Sequence, residues 1–251
     1  MGFNITKLDQ VLVFKISRPD KRNAVNYEVM DGLAEAIHQA EQDDHIKALL
    51  ITGEGEKAFC AGGDLQSFHS LKTQSEAYEM LSKMGDILYR LAVLPKLTVA
   101  FINGTAIGGG CEIAAACDYR VAKKGAKLGF VQGDLAITTG WGGGTLLYER
   151  LVPSQAFRLL TEANIHTADQ LYEAGFIDAT LQDETLEAVI ASIKRRIDKS
   201  PGVLSAYKNM LIEKWKRGDL EQRMKNEVHQ CSILWESEEH HKAVERFLQT
   251  K

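Results

Sequence analysis

The chain has 251 residues, of which 45% are hydrophobic and 25% are charged, enough for a large buried core in one or two domains. Its formal net charge of -4 gives no basic excess of the kind that binds nucleic acid or an anionic membrane. The four cysteines lack paired spacing, and no apolar run is typical of a signal peptide or a membrane span, so we expect a cytoplasmic protein with reduced thiols.

The first third of the chain predicts a strand, a helix and a strand in that order. Residues 11–16 form a β-rich apolar run that ends before Pro19. Between residues 30 and 40, apolar side chains recur every three or four positions, which indicates an amphipathic helix. A second apolar run, at residues 46–52, predicts the next strand, and Gly53 closes it.

The same alternation continues through the middle of the chain and then gives way to helices. The pattern predicts a helix over 78–94, a buried strand over 97–102, a short Ala-rich helix over 112–117 and a strand over 119–122. Alternating strands and helices are typical of an α/β fold with a parallel sheet. Beyond Pro153 the periodicity predicts a wholly helical tail, with helices over 154–160, 167–174, 184–198, 201–216, 220–234 and 238–249.

Two glycine-rich segments mark places where the backbone approaches another group closely. They are Ala-Phe-Cys-Ala-Gly-Gly-Asp at residues 58–64 and Gly-Thr-Ala-Ile-Gly-Gly-Gly-Cys-Glu at residues 104–112. A glycine run that enters an Ala-rich segment indicates free N–H groups at a helix N-terminus. Backbone donors directed at one oxygen are the usual means of stabilising an oxyanion. The alternative for an isolated run is a tight turn with close packing.

Glu112 ends the second glycine-rich segment and is the leading candidate for an acid or a base. Its position predicts a carboxylate in the first helical turn, beside the oxygen that the backbone donors would bind. Desolvation in an apolar pocket would raise its pKa towards neutrality. The alternative role is a carboxylate that only stabilises the helix N-terminus.

Five motifs together resemble the crotonase superfamily of enoyl-CoA hydratases and isomerases over essentially the whole chain. They occupy residues 21–24, 51–65, 103–113, 117–118 and 141–144, the last three reading Asn-Gly-Thr-Ala-Ile-Gly-Gly-Gly-Cys-Glu-Ile, Cys-Asp and Trp-Gly-Gly-Gly. The resemblance implies a ββα spiral over residues 1–190, which carries the acyl-CoA site, and a helical trimerisation region over residues 191–251. It also implies an enzyme of fatty acid metabolism that acts on an acyl-CoA thioester, needs no further cofactor, and assembles as a homotrimer or a dimer of trimers.

The resemblance also assigns roles to individual residues. It implies that the backbone N–H groups of Gly63 and Gly109 bind the thioester carbonyl as it acquires enolate charge, while Glu112 carries the proton. Phe247 and Lys251 resemble residues that a neighbouring subunit contributes, with the lysine displaced by one place to the chain end. The residues implied in coenzyme A or substrate binding are Lys21, Arg22, Ala24, Ala61, Gly62, Asp64, Leu65, Trp141, Phe247 and Lys251.

Gln132 departs from the family pattern, which has a second glutamate at this place. An amide holds a water or a carboxylate by hydrogen bonds but does not carry a proton. Asp134 lies two residues further on, and its side chain would share the face of Gln132 only if this segment were extended. Trp141 replaces a smaller residue of the usual loop, so it either narrows the acyl pocket or serves only in packing.

Three functions remain open on these residues. The first is hydration or isomerisation of an enoyl-CoA with Glu112 as the proton carrier. The second is decarboxylation of a methylmalonyl- or ethylmalonyl-type CoA, which needs no base because the departing CO2 leaves its electrons behind. The third is a catalytically weakened CoA-binding subunit. We expect no metal site, since no Cys or carboxylate cluster accompanies the histidines, and no nicotinamide, since the glycine spacing is not GxGxxG.

Overall fold

The computed structural model describes residues 2–182 and 185–249, and this part of the chain contains ten strands and eleven α-helices. The strands are β1 (Phe3–Leu8), β2 (Val11–Ile16), β3 (Ala48–Gly53), β4 (Ala58–Cys60), β5 (Leu97–Ile102), β6 (Thr105–Ile107), β7 (Tyr119–Lys123), β8 (Lys127–Gly129), β9 (His166–Thr167) and β10 (Ala179–Leu181). The helices are α1 (Tyr27–Gln42), α2 (Leu65–Phe68), α3 (Gln74–Ala92), α4 (Gly109–Ala116), α5 (Gly143–Arg150), α6 (Pro153–Glu162), α7 (Ala168–Glu173), α8 (Leu186–Ile197), α9 (Pro201–Arg217), α10 (Leu220–Trp235) and α11 (Glu238–Gln249).

Six strands form the larger sheet, in the order β1-β2-β3-β5-β7-β10. β1 pairs antiparallel with β2, and all other neighbours are parallel, so helices α1, α3 and α4 lie in the crossovers between successive strands. All six residues of β3 are buried, as expected for a parallel strand covered on both faces. Alternate residues of β3 pack into two different cores, Leu49 on the side of α1 and α3 and Leu50 on the side of α8.

The smaller sheet has the order β4-β6-β8-β9 and positions the two glycine-rich segments. β4 and β6 are parallel neighbours, with Cys60 opposite Ala106. Neighbouring parallel strands end at the same edge of a sheet, so the segment after β4 and the start of α4 after β6 emerge side by side. The predicted α/β fold class is therefore confirmed, with antiparallel pairing limited to β1 and β9 among the described strands.

The prediction of a wholly helical tail is wrong at β9 and β10. β10 adds an edge strand to the larger sheet, with Ala179 opposite Val121, and β9 pairs with β8. Strands of two or three residues are too short to show a period of two, and their place in a sheet comes from pairing partners far away in the chain. Helix α4 begins at Gly109 rather than at residue 112, because two glycines form its first turn.

The C-terminal helices pack onto the body of the chain. α10 lies against α3 and α5, and buries Met224, Val228 and Cys231 there. The side chain of Trp215 on α9 is 1% exposed and packs in the core of this chain, whereas Tyr207 of the same helix is 71% exposed. Every described helix is too short or too polar to cross a lipid bilayer.

Candidate functional site

The two glycine-rich segments meet at the edge of the smaller sheet. Gly62 has a φ of +92°, a conformation that glycine adopts readily. A Cβ on Gly62 would lie 3.4 Å from the backbone nitrogen of Gly109 and 3.1 Å from the carbonyl oxygen of Ile107. The chain around Gly62 and Gly63 therefore lies in contact with the first turn of α4.

The backbone N–H groups of Gly63 and Gly109 have no acceptor in the hydrogen-bond network of the described residues. Val25 pairs with the neighbours of Gly63 instead, because its N–H donates to Gly62 and its carbonyl accepts from Asp64. Gly109 is the first residue of α4, where a helix leaves its N–H groups without internal partners. Two unpaired amides at adjoining segments can together bind one oxygen that carries negative charge.

The indole of Trp141 lies against both of these glycines. A Cβ on Gly109 would overlap the six-membered ring, and a Cβ on Gly63 would lie 3.7 Å from its Cζ2 atom. Trp141 itself is 4% exposed. The ring therefore packs directly against the two glycines, on the side where each would carry a Cβ. Two surface cavities, of about 560 and 200 Å³, lie elsewhere, the first beside β1 and the end of α1 and the second between α3 and α10.

Glu112 is buried at 2% exposure and is held by four N–H groups. Its Oε2 accepts from the backbone of Trp141 at 2.8 Å and of Gly143 at 3.0 Å, and its Oε1 accepts from Gln132 Nε2 at 2.9 Å and from the backbone of Gly140 at 3.4 Å. Burial, and after it the charge of Glu227, raises the pKa of Glu112 to about 7, although these backbone donors act in the opposite direction. A carboxyl group with this pKa can take up and release a proton at neutral pH.

Gln132 donates to Glu112 and leaves its own oxygen without a partner. The side chain is 9% exposed, and Oε1 is a buried acceptor that no donor of the described residues reaches. The amide lies above the backbone of Gly108, where a Cβ would be 3.7 Å from Gln132 Nε2. A buried carbonyl oxygen without a donor favours a ligand that brings one, such as a water or a hydroxyl group.

Asp134 does not join Gln132 and Glu112. Residues Gln132–Leu135 form a 3-10 helix rather than an extended segment, and Asp134 is exposed. The condition for its replacing the second carboxylate is therefore not met. Two residues apart in a helical turn, the side chains of Gln132 and Asp134 point in different directions.

The turn over residues 18–24 and the loop after β4 lie together. The N–H of Ala61 donates to the carbonyl of Arg22 at 3.1 Å, and Lys21 Nζ donates to Gln66 at 2.6 Å. Lys21 and Arg22 are exposed, while Ala24 is buried. Leu65 opens α2, the helix whose N-cap is Asp64. Phe247 belongs to α11 near the C-terminus and is 38% exposed. Lys251 lies outside the described residues.

Sequence reasoning missed two charged residues of this region, Arg18 and Glu227. Arg18 forms an ion pair with Asp64 at 2.7 Å and donates to the carbonyl of Ala24. Burial alone would raise the pKa of Asp64, but the hydrogen bond from Arg18 and the N–H of Gln66 lower it, so Asp64 stays charged as a structural anchor. Glu227 lies next to the apolar stripe of α10, and a carboxylate beside that stripe was the signal that could have identified it.

No group of three or more His, Cys, Asp or Glu side chains that could hold a metal ion occurs among residues 2–182 and 185–249. All four cysteines are buried and free.

A family model described as enoyl-CoA hydratase/isomerase matches residues 6–251. The chain is 29% identical over 248 residues to a crotonyl-CoA hydratase of Syntrophomonas wolfei, covering 98% of this chain and 95% of that protein. It is 30% identical over 237 residues to an ethylmalonyl-CoA decarboxylase of Xenopus tropicalis, covering 92% and 78%. The structure of an enoyl-CoA hydratase from Bacillus halodurans has a TM-score of 0.89 at 24% identity, over 98% of this chain and all of that one, which confirms the predicted crotonase-type fold.

Proposed function

The chain belongs to the enoyl-CoA hydratase/isomerase family, and from this premise we propose that it is an enzyme that converts an acyl-CoA thioester through an enolate. The N–H groups of Gly63 and Gly109 bind the thioester oxygen as it becomes negative. Their support is the absence of any acceptor for either group among the described residues. One such donor is worth on the order of 3 kcal/mol of transition-state stabilisation.

Hydration of an enoyl-CoA is the reaction that the site supports best, and Glu112 is the proton carrier. Glu112 takes a proton from water as the water oxygen bonds to the β-carbon, and the electrons of the double bond move to the thioester oxygen. The enolate then collapses as Glu112 returns the proton to the α-carbon. Oε1 is the oxygen for this task, since one of its two hydrogen bonds is only a 3.4 Å contact.

The unpaired oxygen of Gln132 is the observation that favours hydration over decarboxylation. A water molecule or the product hydroxyl donates to this buried acceptor, whereas the carboxylate of a malonyl-type substrate would be repelled by it. The amide nitrogen, which would attract that carboxylate, is already bound to Glu112 at 2.9 Å.

Decarboxylation is the second candidate function. The same two amides stabilise the enolate that remains when the C–C bond breaks and CO2 leaves, and Glu112 then needs only to donate a proton to the α-carbon. Its support is the neutral side chain of Gln132 together with the similarity to ethylmalonyl-CoA decarboxylases, at 30% identity over most of the chain. Isomerisation uses the same enolate and stays within the first proposal, with Glu112 moving one proton between two carbons.

The deciding experiment compares two substrates with the purified protein. Crotonyl-CoA is followed by loss of the enoyl absorbance, and ethylmalonyl-CoA by release of CO2. We expect turnover of crotonyl-CoA with the larger kcat/KM. Faster release of CO2 would establish the decarboxylase instead. Saturable binding of both thioesters without turnover would show a CoA-binding subunit and reject both reactions.

Substrate binding and assembly complete the proposal. Coenzyme A lies along Lys21, Arg22 and Ala24 and the facing segment 61–65, which the hydrogen bond from Ala61 to Arg22 holds together. The protein assembles as a trimer or a dimer of trimers, in which Phe247 reaches the site of a neighbouring subunit. Support for an interface comes from apolar side chains exposed on α9, namely Val203, Tyr207 and Met210.

A further inference from the structure

Glu227 is a second carboxylate next to the candidate site, contributed by helix α10. It accepts hydrogen bonds from Thr139 Oγ1 at 2.6 Å, from the backbone of Gly144 at 3.0 Å and from the backbone of Thr145 at 2.6 Å. Thr139 is 6% exposed, and burial raises the pKa of Glu227. These three hydrogen bonds of the Glu227 side chain all go to one segment, residues 139–145, which leads into helix α5.

Glu112 binds backbone N–H groups of the same segment, at residues that Glu227 does not bind. It accepts from the N–H groups of Gly140, Trp141 and Gly143, whereas Glu227 takes Thr139, Gly144 and Thr145. The first three N–H groups of α5, at residues 143–145, are therefore divided between two carboxylates. A helix otherwise leaves these donors without partners.

The division fixes where the Glu112 carboxylate lies. Gly143 and Gly144 are consecutive, one bound to each glutamate, and a Cβ on Gly143 would overlap the Glu112 side chain. Gly143 and Gly144 have no side chains, so at these two positions backbone hydrogen bonds hold the segment next to the glutamates. Loss of the Glu227 bonds would free the start of α5 on one side only.

The charge of Glu227 also acts on Glu112. It raises the pKa of Glu112 beyond the effect of burial. The other titratable groups that face the two glutamates are the thiols of Cys111 on α4 and Cys231 on α10, which stay neutral because burial raises the pKa of both. Glu227 is thus the charged neighbour whose removal would change the protonation of Glu112.

We propose that Glu227 is a positioning residue of the reaction, which holds the segment 139–145 in place and thereby the carboxylate of Glu112, without touching the substrate. This inference rests on the proposed role of Glu112 as the proton carrier. Glu227 belongs to α10, so a helix of the C-terminal region would then help to position the catalytic carboxylate.

The test compares Glu227→Gln and Glu227→Asp with a control at the C-terminal end of α5, the helix whose first turn Glu227 binds. Glu149 of α5 forms ion pairs with Lys214 at 3.0 Å and Arg223 at 2.7 Å, so Glu149→Gln also removes an anchor of α5 but lies away from Glu112. The measurements are kcat and KM for the substrate that the wild type turns over, the pH dependence of kcat/KM, and the melting temperature of each variant.

Glu227→Gln should lower kcat by about ten- to a hundredfold with little change in KM, because a displaced catalytic group affects the chemical step. The acid limb of its pH profile of kcat/KM should move to lower pH by about half a unit or more, because the loss of the negative charge of Glu227 lowers the pKa of Glu112. Glu227→Asp keeps the charge on a shorter side chain, so its kcat should fall while the acid limb stays near that of the wild type. Glu149→Gln should lower the melting temperature and leave the acid limb unchanged.

An unchanged acid limb and an unchanged kcat in Glu227→Gln would overturn the proposal, and so would a kcat loss no larger than that of Glu149→Gln. If Glu227→Gln does not fold, Glu227→Asp with full kcat overturns it. A 13C NMR titration of the Glu112 carboxyl, assigned by its disappearance in Glu112→Gln, reports the same shift without turnover. A wild type that turns over neither thioester would therefore reject the proposed function while this titration still decides the role of Glu227.

Discussion

Glu112 shows how two opposing effects set the protonation of one residue. Four N–H donors favour the charged carboxylate, yet burial and the nearby Glu227 outweigh them, and the pKa rises to about 7. An exposed glutamate at this position would stay ionised at neutral pH and would return a proton poorly. The same burial that makes the group costly to charge makes it useful as a proton carrier.

Glu112→Gln should lower kcat by about 10²- to 10⁴-fold, because the amide cannot carry the proton. Binding of a saturated acyl-CoA should change little, as the amides of Gly63 and Gly109 remain. In the wild type, kcat/KM should fall as the pH decreases below about 7, since the base must be ionised. Steady-state kinetics between pH 5 and 9 and a binding titration check both points. Wild-type turnover in the variant would remove Glu112 from the mechanism.

Residue by residue, the sequence predicts the parts of the site that lie in one short segment. Gly63, Gly109 and Glu112 stand in glycine-rich runs whose composition already indicates free amides. Arg18 and Glu227 do not stand in such glycine-rich runs. Their partners, Asp64 and Thr145, are 46 and 82 positions away, and only the folded chain brings them together.

At the scale of elements, the contact between α4 and β4 sets the distance between the two glycine-rich segments. Gly110 lies in the first turn of α4, and a Cβ there would overlap the carbonyl oxygen of Cys60. That oxygen belongs to the backbone of β4, so the clash cannot be relieved by rotating a side chain. The helix reaches the strand this closely only because position 110 has no side chain.

Gly110→Ala should therefore destabilise the fold by about 1–3 kcal/mol and lower kcat/KM strongly, as α4 moves away from β4 and separates the two amides. Gly202→Ala is the matched control, since a Cβ there meets nothing within 4 Å, and it should be neutral or slightly stabilising. Urea unfolding and kinetics of both variants check the expectation. Equal behaviour of the two variants would show that the close contact is not required.

The elements that sequence patterns predict well are the long ones. Strands β2 and β5 are continuous apolar runs, helices α1 and α3 have clear helical periodicity, and all four lie close to their predicted positions. Strands β4, β6, β8, β9 and β10 have two or three residues each, and their strand character depends on pairing with distant neighbours. The smaller sheet, which positions the site, is therefore the part of the fold that periodicity does not predict.

For the molecule as a whole, a partly buried ion cluster ties the C-terminal helices to the larger sheet. Asp118 precedes β7 and binds Lys208 of α9 at 2.5 Å and the N–H and hydroxyl groups of Thr98 of β5 at 3.0 Å. Arg150, at the end of α5, lies 3.7 Å from the same carboxylate. Removing one partner of this partly buried pair leaves an uncompensated charge, so the cluster fixes the helices relative to the site.

The exposed face of α9 leads to a prediction of the oligomeric state. Light scattering should give three or six times the chain mass of 27.9 kDa. Tyr207→Glu, combined with Met210→Glu, should shift the protein to smaller species, because both side chains are about 70% exposed in the single chain and would be buried in an interface. Lys216→Glu, on the opposite face of α9, is the control. A monomeric wild type at micromolar concentration would contradict the proposed trimer.

The most direct test of the account is the infrared spectrum of a bound acyl-CoA whose thioester carbonyl is labelled with 13C. If the amides of Gly63 and Gly109 both donate to that oxygen, the carbonyl stretch moves to lower frequency than in water, and it stays shifted in Glu112→Gln. A carbonyl frequency equal to that of the free thioester, at full saturation of the protein, would contradict the claim that these two amides polarise the substrate.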